Sequence, residues 1–334
     1  HGWSSPVVYD GQVFLTTAVS LSPEDDPAAD QSLRVLCLDA ADGHVHWQAE
    51  VFQLAASDIS AHKKNSHASP TPLVDNGHVY VHFGPHGTAK LDLAGKIVWA
   101  KKPFSYDPVH GTGSSPMLAD GKLIINCDGG DRAFVAALNP QDGTVVWTTP
   151  RPPAESRSFS FCTPLAITVA GRTQVVSPGS HVVCSYDPTT GDELWRVRYP
   201  NKWSIVPRPV YSHGLVFVCT GYEGPAALLA IRPEGQGDVT DTHIAWQVNK
   251  FVPYNPSMLA VDDVLYAVSD NGIATAREIE SGRLIWRHRL GGNYSASPIF
   301  ADGKIYMRSE EGICKVIEPG NVDHRPHGKP SLSN

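Results

Sequence analysis

The segment Leu138–Trp147 has the sequence LNPQDGTVVW, in which an apolar residue and Asn lead through a turn with Gly to an apolar run ending in Trp. Other copies carry Asp or another residue in place of Asn, and successive tryptophans lie 40 to 52 residues apart. Self-similarity at such a period indicates a repeat architecture. The six copies run from Cys37 to Trp47, Leu91 to Trp99, Leu138 to Trp147, Tyr186 to Trp195, Ile231 to Trp246 and Glu278 to Trp286.

A second motif marks the start of each repeat. It consists of a Pro, usually after a small or polar residue, then alternating apolar residues and a D-G or N-G turn, which is a strong hairpin signal. Its seven copies begin at Ser5-Pro6, Ser69-Pro70, Ser115-Pro116, Thr163-Pro164, Val206-Pro207, Asn255-Pro256 and Ser297-Pro298.

Together the two motifs predict four short strands, A to D, in each repeat. A single four-stranded meander cannot bury both of its faces, whereas copies packed face to face around an axis can. The sequence therefore predicts an all-β, seven-bladed β-propeller of four-stranded antiparallel blades, formed as one domain by residues 1–318. The seventh repeat lacks the Trp-ending strand, and residues 319–334 form a polar tail that we expect to be disordered.

The repeat resembles that of the PQQ-like, quinoprotein-type β-propellers, and five further segments resemble secreted propeller proteins of planctomycete-type bacteria. This resemblance implies the propeller fold and an extracytoplasmic location. It leaves one alternative, an eight-bladed family member that lacks terminal strands. The unpaired strand edge at such an open seam could pair with another subunit and form a homo-oligomer. The segments are His1–Pro6 (HGWSSP), Asn65–Pro70 (NSHASP), His82–Gly87 (HFGPHG), Tyr106–Gly111 (YDPVHG) and Val206–Val210 (VPRPV).

Composition narrows the range of partners. The 334 residues carry a formal charge of −7 without a block of Lys or Arg, which disfavours nucleic acid. No apolar run approaches the length of about 18 residues that a membrane span needs. The six cysteines are scattered singly, which predicts small buried strand residues, with disulfide or metal roles as the alternatives.

Histidines are concentrated in one region of the chain. Six of the fifteen lie between residues 61 and 110, and strand order places five of these six on the face formed by the D–A and B–C loops. Imidazoles from neighbouring loops suit Zn²⁺ and other divalent transition metals. We expect a metal site formed by His67, His82, His86 and His110, which come from repeats 2 and 3.

Such a metal would activate water and polarise an ester, lactone or phosphoester. Asp128 or Asp131 could then act as a base, and Arg132 or Arg208 could hold an anionic group of a small-molecule substrate. The main functional prediction is a metal-assisted hydrolase with these residues.

Two alternatives remain open. One is a non-catalytic scaffold that binds protein or glycan through the same rim, because a similar repeat builds the scaffold lipoprotein of outer-membrane assembly. The other, less favoured, is a PQQ-dependent dehydrogenase. The sequence has no adjacent Cys-Cys pair and no C-x-x-C-H haem motif, so we expect PQQ to be absent.

Overall fold

A computed structural model describes residues 2–320, except 25, 27, 59–61, 63, 64 and 155, together with residues 332 and 333. The chain separates into two compact units, His1–Ala166 with Asp187–Asp192, and Ile167–Tyr186 with Glu193–Asn334. Its strands form seven sheets, each with an antiparallel meander of four strands, so the prediction of a seven-bladed β-propeller is confirmed.

The strands follow the chain from sheet to sheet. Sheet 1 contains β1 (Val7–Tyr9), β2 (Gln12–Ser20), β3 (Gln31–Asp39) and β4 (Val45–Leu54). Sheet 2 contains β5 (Leu73–Asp75), β6 (His78–His82), β7 (Thr88–Asp92) and β8 (Ile97–Lys101). Sheet 3 contains β9 (Met117–Ala119), β10 (Lys122–Asp128), β11 (Ala133–Leu138) and β12 (Val145–Pro150). Sheet 4 contains β13 (Leu165–Val169), β14 (Arg172–Gly179), β15 (Val182–Tyr186) and β16 (Glu193–Arg198).

The last three sheets follow the same order. Sheet 5 contains β17 (Val210–Ser212), β18 (Leu215–Cys219), β19 (Leu228–Ile231) and β21 (Ile244–Val248), with β20 (Gly237–Asp238) and the short helix α1 (Thr240–His243) between its last two strands. Sheet 6 contains β22 (Leu259–Val261), β23 (Val264–Val268), β24 (Ile273–Glu278) and β25 (Leu284–Arg289). Sheet 7 contains β26 (Ile299–Ala301), β27 (Lys304–Arg308), β28 (Cys314–Ile317) and β29 (Leu332–Ser333). Two 3-10 turns span Ala56–Asp58 and Gly84–His86.

The tail supplies the strand that the seventh repeat lacks. Leu332 and Ser333 pair antiparallel with Ile317 and Val316 of β28. The sequence contained no pattern for this strand, because two residues are too few for a periodicity. Residues 321–331 and 334, on which most of the tail prediction falls, lie outside the described residues.

The core consists of apolar side chains packed between consecutive sheets. In the first compact unit Phe14 and Leu33 of sheet 1 belong to one cluster with Val81 and Leu91 of sheet 2. Five of the six cysteines are buried as single residues, as predicted, whereas Cys314 is exposed.

Four of the repeated tryptophans connect their sheet to the next one. Nε1 of Trp99 donates a hydrogen bond to the Pro140 carbonyl (3.2 Å), which lies in the C–D turn of the following sheet. A methyl group at Gly143 in that turn would lie 2.7 Å from Cε3 of Trp99, so the ring needs a glycine beneath it. The same pair of contacts joins Trp47 to Leu93 and Gly95, Trp147 to Pro188 and Gly191, and Trp246 to Ile279 and Gly282.

Sheet 4 departs from this rule because the C–D turn of sheet 5 is replaced by a longer insertion. Nε1 of the fully buried Trp195 donates to Oε1 of Gln174 in its own sheet (2.8 Å). Nε2 of Gln174 in turn donates to the Pro233 carbonyl of the insertion (3.3 Å). One side-chain amide therefore replaces the direct bond.

The same insertion adds a fifth strand to sheet 4. Its strand β20 pairs in parallel with the outer strand β16, with Gly237 opposite Trp195 and Asp238 opposite Arg196. The pairing is extended by the Val239 amide, which donates to the Arg196 carbonyl (2.9 Å), and by an ion pair between Arg198 and Asp238 (2.7 Å).

We expect Gln174→Met to lower the free energy of unfolding by about 1–3 kcal/mol, because it leaves the buried indole N–H of Trp195 without an acceptor. Urea denaturation of the purified chain measures the change. The exposed Gln247→Met in β21 is the matched control and should change stability little. Equal effects of the two substitutions would contradict the proposed role of Gln174.

Candidate functional site

The loops before sheets 2 and 3 are tied together in the first compact unit. Nδ2 of Asn65 donates to the carbonyls of His110 (2.9 Å) and Thr112 (3.3 Å), and the His62 amide donates to the His110 carbonyl (3.1 Å). These bonds fix both D–A loops as one surface, and this surface holds several of the histidines singled out by the sequence.

Three of the four predicted metal ligands lie close together. The rings of His67 and His86 meet edge to face with centroids 5.9 Å apart, and His86 is near enough to His82 to lower the pKa of His82. His82 is 1% exposed, and its Nδ1 is 2.9 Å from the Oγ1 atom of Thr88. Its Nε2 is buried and has no hydrogen-bond partner among the described residues.

Burial controls the charge of these rings. Desolvation, with a smaller contribution from His86, lowers the pKa of His82 from 6.5 to about 3. Desolvation, followed by the charges of His67 and Lys102, lowers the pKa of His86 to about 4. Desolvation also lowers the pKa of His67. All three imidazoles are therefore neutral at pH 7.

The fourth predicted ligand belongs to a different cluster. The ring of His110 lies 5.3 Å from that of His62, 5.3 Å from that of Phe159 and, stacked, 6.1 Å from that of Phe161. Desolvation and then the neighbouring His62 lower the pKa of His110. We call these four residues the aromatic cluster. It presents half-buried and exposed rings at the loop surface.

The described residues contain no group of three or more His, Cys, Asp and Glu side chains that could hold a metal ion. The physical reason is that His67 and His86 pack ring against ring, while His110 packs against phenylalanines instead of facing them. These residues do not fit a zinc site, although zinc binding itself stays a prediction that only a metal analysis tests.

Asp128, one predicted base, is instead half of a buried ion pair. Its side chain is 1% exposed and that of Arg151 is 3% exposed. Nε and Nη2 of Arg151 reach the two carboxylate oxygens at 2.5 and 2.8 Å. Burial raises the pKa of Asp128, and the attraction of Arg151 opposes that rise. With both oxygens engaged, this carboxylate connects strands B and D of sheet 3.

Of the remaining predicted residues, Asp131 and Arg132 form an exposed ion pair, and Arg208 belongs to the second compact unit. Oδ1 of Asp131 accepts a hydrogen bond from the Asp107 amide (2.7 Å), and its Oδ2 lies 3.4 Å from Nε of Arg132. Both partners of that ion pair are well exposed. Arg208 is exposed in the second compact unit, where its amide donates to Oγ of Ser257 (2.9 Å).

Sequence reasoning did not identify three residues of these clusters, Arg151, Phe159 and Phe161. Asp128 ends strand B and Arg151 follows strand D of the same sheet, and these two strands run in the same direction on either side of β11. Residues at the ends of strands B and D are therefore neighbours, a rule that could have paired Asp128 with Arg151. The two phenylalanines lie in a loop without periodicity and gave no signal.

The repeat tryptophans do not provide a ring on which the quinone of a quinoprotein could stack. Four of them donate to the following sheet, Trp195 is fully buried, and Trp286 is buried against Tyr266. These residues do not fit a quinone site, and the absence of PQQ stays a prediction.

Comparison with known proteins first gives the class of the protein: the chain is a PQQ-like β-propeller repeat protein. The model of the family described as outer membrane protein assembly factor BamB matches residues 2–165 and 238–325. The chain belongs to this family. Between the two matched segments, residues 166–237 contain most of sheet 4, three strands of sheet 5 and the start of the insertion.

Individual relatives agree with this assignment. BamB of Shewanella oneidensis is 30% identical over 246 residues, which are 66% of this chain and 56% of that protein. Quinoprotein alcohol dehydrogenase PedH of Pseudomonas putida is 26% identical over 157 residues, 44% of this chain and 22% of that protein. The crystal structure of BamB from Moraxella catarrhalis has a TM-score of 0.63 at 17% identity, covers 89% of this chain and 83% of that chain, and supports the fold alone. The chain thus spans a little over half the length of the Shewanella relative.

The predicted function must be corrected. The metal-assisted hydrolase is wrong, because the described histidines and carboxylates do not assemble a metal site and the matched family and its BamB relatives are named as assembly factors. The extracytoplasmic location is confirmed by the family. No described helix reaches the length and hydrophobicity that a membrane crossing requires.

Breaking the buried ion pair should be costly. We expect Arg151→Met to lower the free energy of unfolding by about 3–5 kcal/mol, because it leaves Asp128 buried and uncompensated. Combining it with Asp128→Leu should recover much of the loss. Urea denaturation measures both variants. Arg283→Met, which breaks an exposed pair with Glu278, is the control and should have little effect; a loss as large as that of Arg151→Met would contradict the assignment.

The neutral histidines should make stability depend on pH. Because the pKa values of His82 and His86 are near 3 and 4 in the folded chain and near 6.5 when unfolded, the unfolded state binds more protons between these values. The free energy of unfolding should therefore fall as the pH drops from 7 to 5. We expect His86→Gln to flatten this dependence in urea titrations and the exposed His44→Gln to leave it intact. Identical slopes for all three proteins would contradict burial of neutral imidazoles.

Proposed function

We propose that the chain is a non-catalytic scaffold that binds another protein through the aromatic cluster of its first compact unit, as part of outer membrane protein assembly. The names of the matched family and of its BamB relatives support the assembly role. The partner in this proposal is a protein and takes the place of the small-molecule substrate expected from the sequence.

The carrying observation is the aromatic cluster, in which the ring of His110 stacks on Phe161 and meets Phe159 and His62 edge to face. Aromatic side chains are enriched at protein interfaces, and charged ones are depleted at interface centres. Because burial lowers the pKa of His110, the ring is neutral at pH 7 and can be covered at a small desolvation cost. Asn65 ties the loop that carries His62 to the loop that carries His110, which lowers the entropy lost on binding.

The proposal is tested by site-specific photo-crosslinking in cell envelopes of the source organism. A benzoylphenylalanine replaces Phe159 or, as a matched control in the same unit, the exposed Val146 of β12. We expect an adduct at 159, and none at 146, with a component of the outer membrane assembly machinery identified by mass spectrometry.

Affinity measurements with the identified partner complete the test. If the cluster is a binding hot spot of about 2 kcal/mol, Phe161→Ala should weaken binding roughly thirtyfold while the urea midpoint changes little. Equal crosslinking at both positions, or unchanged affinity for Phe161→Ala, would contradict the proposed surface.

A further inference from the structure

We propose that a cleft in the second compact unit binds a neutral carbohydrate residue, independently of the protein-binding surface proposed above. The cleft has a volume of about 380 Å³, at the lower end of the range of about 300–1,000 Å³ for small-molecule sites. It lies between the loop that follows β21 and the loop that follows β23. The lining side chains used in this argument are Asn249, Phe251, Tyr254, Ser269, Asp270 and Asn271.

The first wall is the ring of Phe251, which is held in an uncommon backbone conformation. Its φ is +61°, a value that is rare for a bulky residue and that persists only where the surrounding structure enforces it. The guanidinium carbon of Arg287 lies 4.6 Å from the ring centroid and supports the ring by a cation–π contact.

The second aromatic residue, Tyr254, is fixed from several sides. Its ring stacks on that of Tyr222 with centroids 4.8 Å apart and an interplanar angle of 29°. Its hydroxyl donates to the Gly224 carbonyl (3.1 Å) and accepts from the Ala226 amide (3.2 Å). Both aromatic residues are thus held in place before any ligand arrives, so binding need not immobilise them.

The polar side chains offer both acceptors and donors. Asp270 accepts from the Tyr254 amide (2.7 Å) and from Nδ2 of Asn255, which leaves acceptor sites on a carboxylate that has about four. Oγ of Ser269 donates to Oδ1 of Asn271 (2.7 Å), so the Nδ2 group of Asn271 supplies the donors. Asn249 is exposed and adds a second amide.

This combination matches a sugar ring better than other ligands. A pyranose has apolar C–H faces that contact aromatic rings, and its hydroxyls both donate and accept hydrogen bonds. A phosphate or carboxylate would face Asp270, and no Lys or Arg lines the cleft to compensate it. A cationic side chain would use Asp270 and the rings but would leave the amide donors of Asn249 and Asn271 without a function.

The experiment is a titration of the full chain by saturation-transfer NMR and calorimetry. The probes are the methyl glycosides of glucose, galactose, mannose and N-acetylglucosamine, with glucose 6-phosphate and N-acetylarginine methyl ester as charged comparators. We expect at least one neutral glycoside to bind with a millimolar or lower Kd, and neither charged probe to compete with it.

Variants locate the binding. Phe251→Asn removes the ring, and Asn tolerates a positive φ, so the loop keeps its conformation; we expect at least tenfold weaker binding. Asn249→Ala changes an exposed side chain and should weaken binding severalfold without affecting the fold. Phe300→Asn, at an aromatic residue that is 47% exposed elsewhere in the same unit, should leave the affinity unchanged.

Three results would overturn the proposal. They are no binding of any neutral glycoside up to tens of millimolar, binding that Phe251→Asn and Asn249→Ala leave unchanged, and binding of the arginine ester alone. The last result would identify the cleft as a pocket for a protein side chain. None of these results bears on the crosslinking at position 159, so the two proposals can fail separately.

Discussion

The hydrogen bond from a tryptophan N–H to a carbonyl in the C–D turn of the following sheet is the interaction on which the contact between consecutive sheets depends. In four of the sheets the tryptophan at the third residue of strand D covers the turn of the following sheet, and the glycine in that turn is the residue that lets the ring approach. This pairing explains why Trp and Gly recur together in the sequence: Trp99 lies over Gly143 as Trp147 lies over Gly191. A larger residue at the glycine would push the ring away from the turn. The indole N–H and the turn carbonyl would then both lose their hydrogen-bond partner.

In sheet 4 the tryptophan N–H keeps a hydrogen-bond acceptor although the turn that usually supplies it is replaced by an insertion. The insertion before β21 removes the turn that would receive Trp195, and Gln174 bridges the gap with one amide that accepts from the indole and donates to Pro233. The family model leaves residues 166–237 unmatched, and this stretch contains Gln174 and the start of the insertion. The departure in sequence and the departure in hydrogen bonding therefore coincide.

The fold could be predicted because its determinants are local and repeated, whereas the site depends on contacts between loops without a period. Strand order correctly grouped His67, His82 and His86, but it does not specify ring orientation, and His67 and His86 pack against each other instead of converging on an ion. Asp128 looked available because its partner, Arg151, lies 23 residues further along the chain and was not considered. Burial changed the expected role of each of these groups, and burial is the property that a single sequence specifies least.

The fifth strand of sheet 4 has a consequence for cooperativity. Because β20 belongs to the connection between two strands of sheet 5 yet pairs with the edge of sheet 4, this connection cannot leave sheet 4 without breaking the hydrogen bonds between β20 and β16. Repeat proteins commonly unfold one repeat at a time, since each repeat contacts only its neighbours. Here the shared strand couples two repeats, so we expect the amide protons that join β16 and β20 to exchange with solvent at a common free energy.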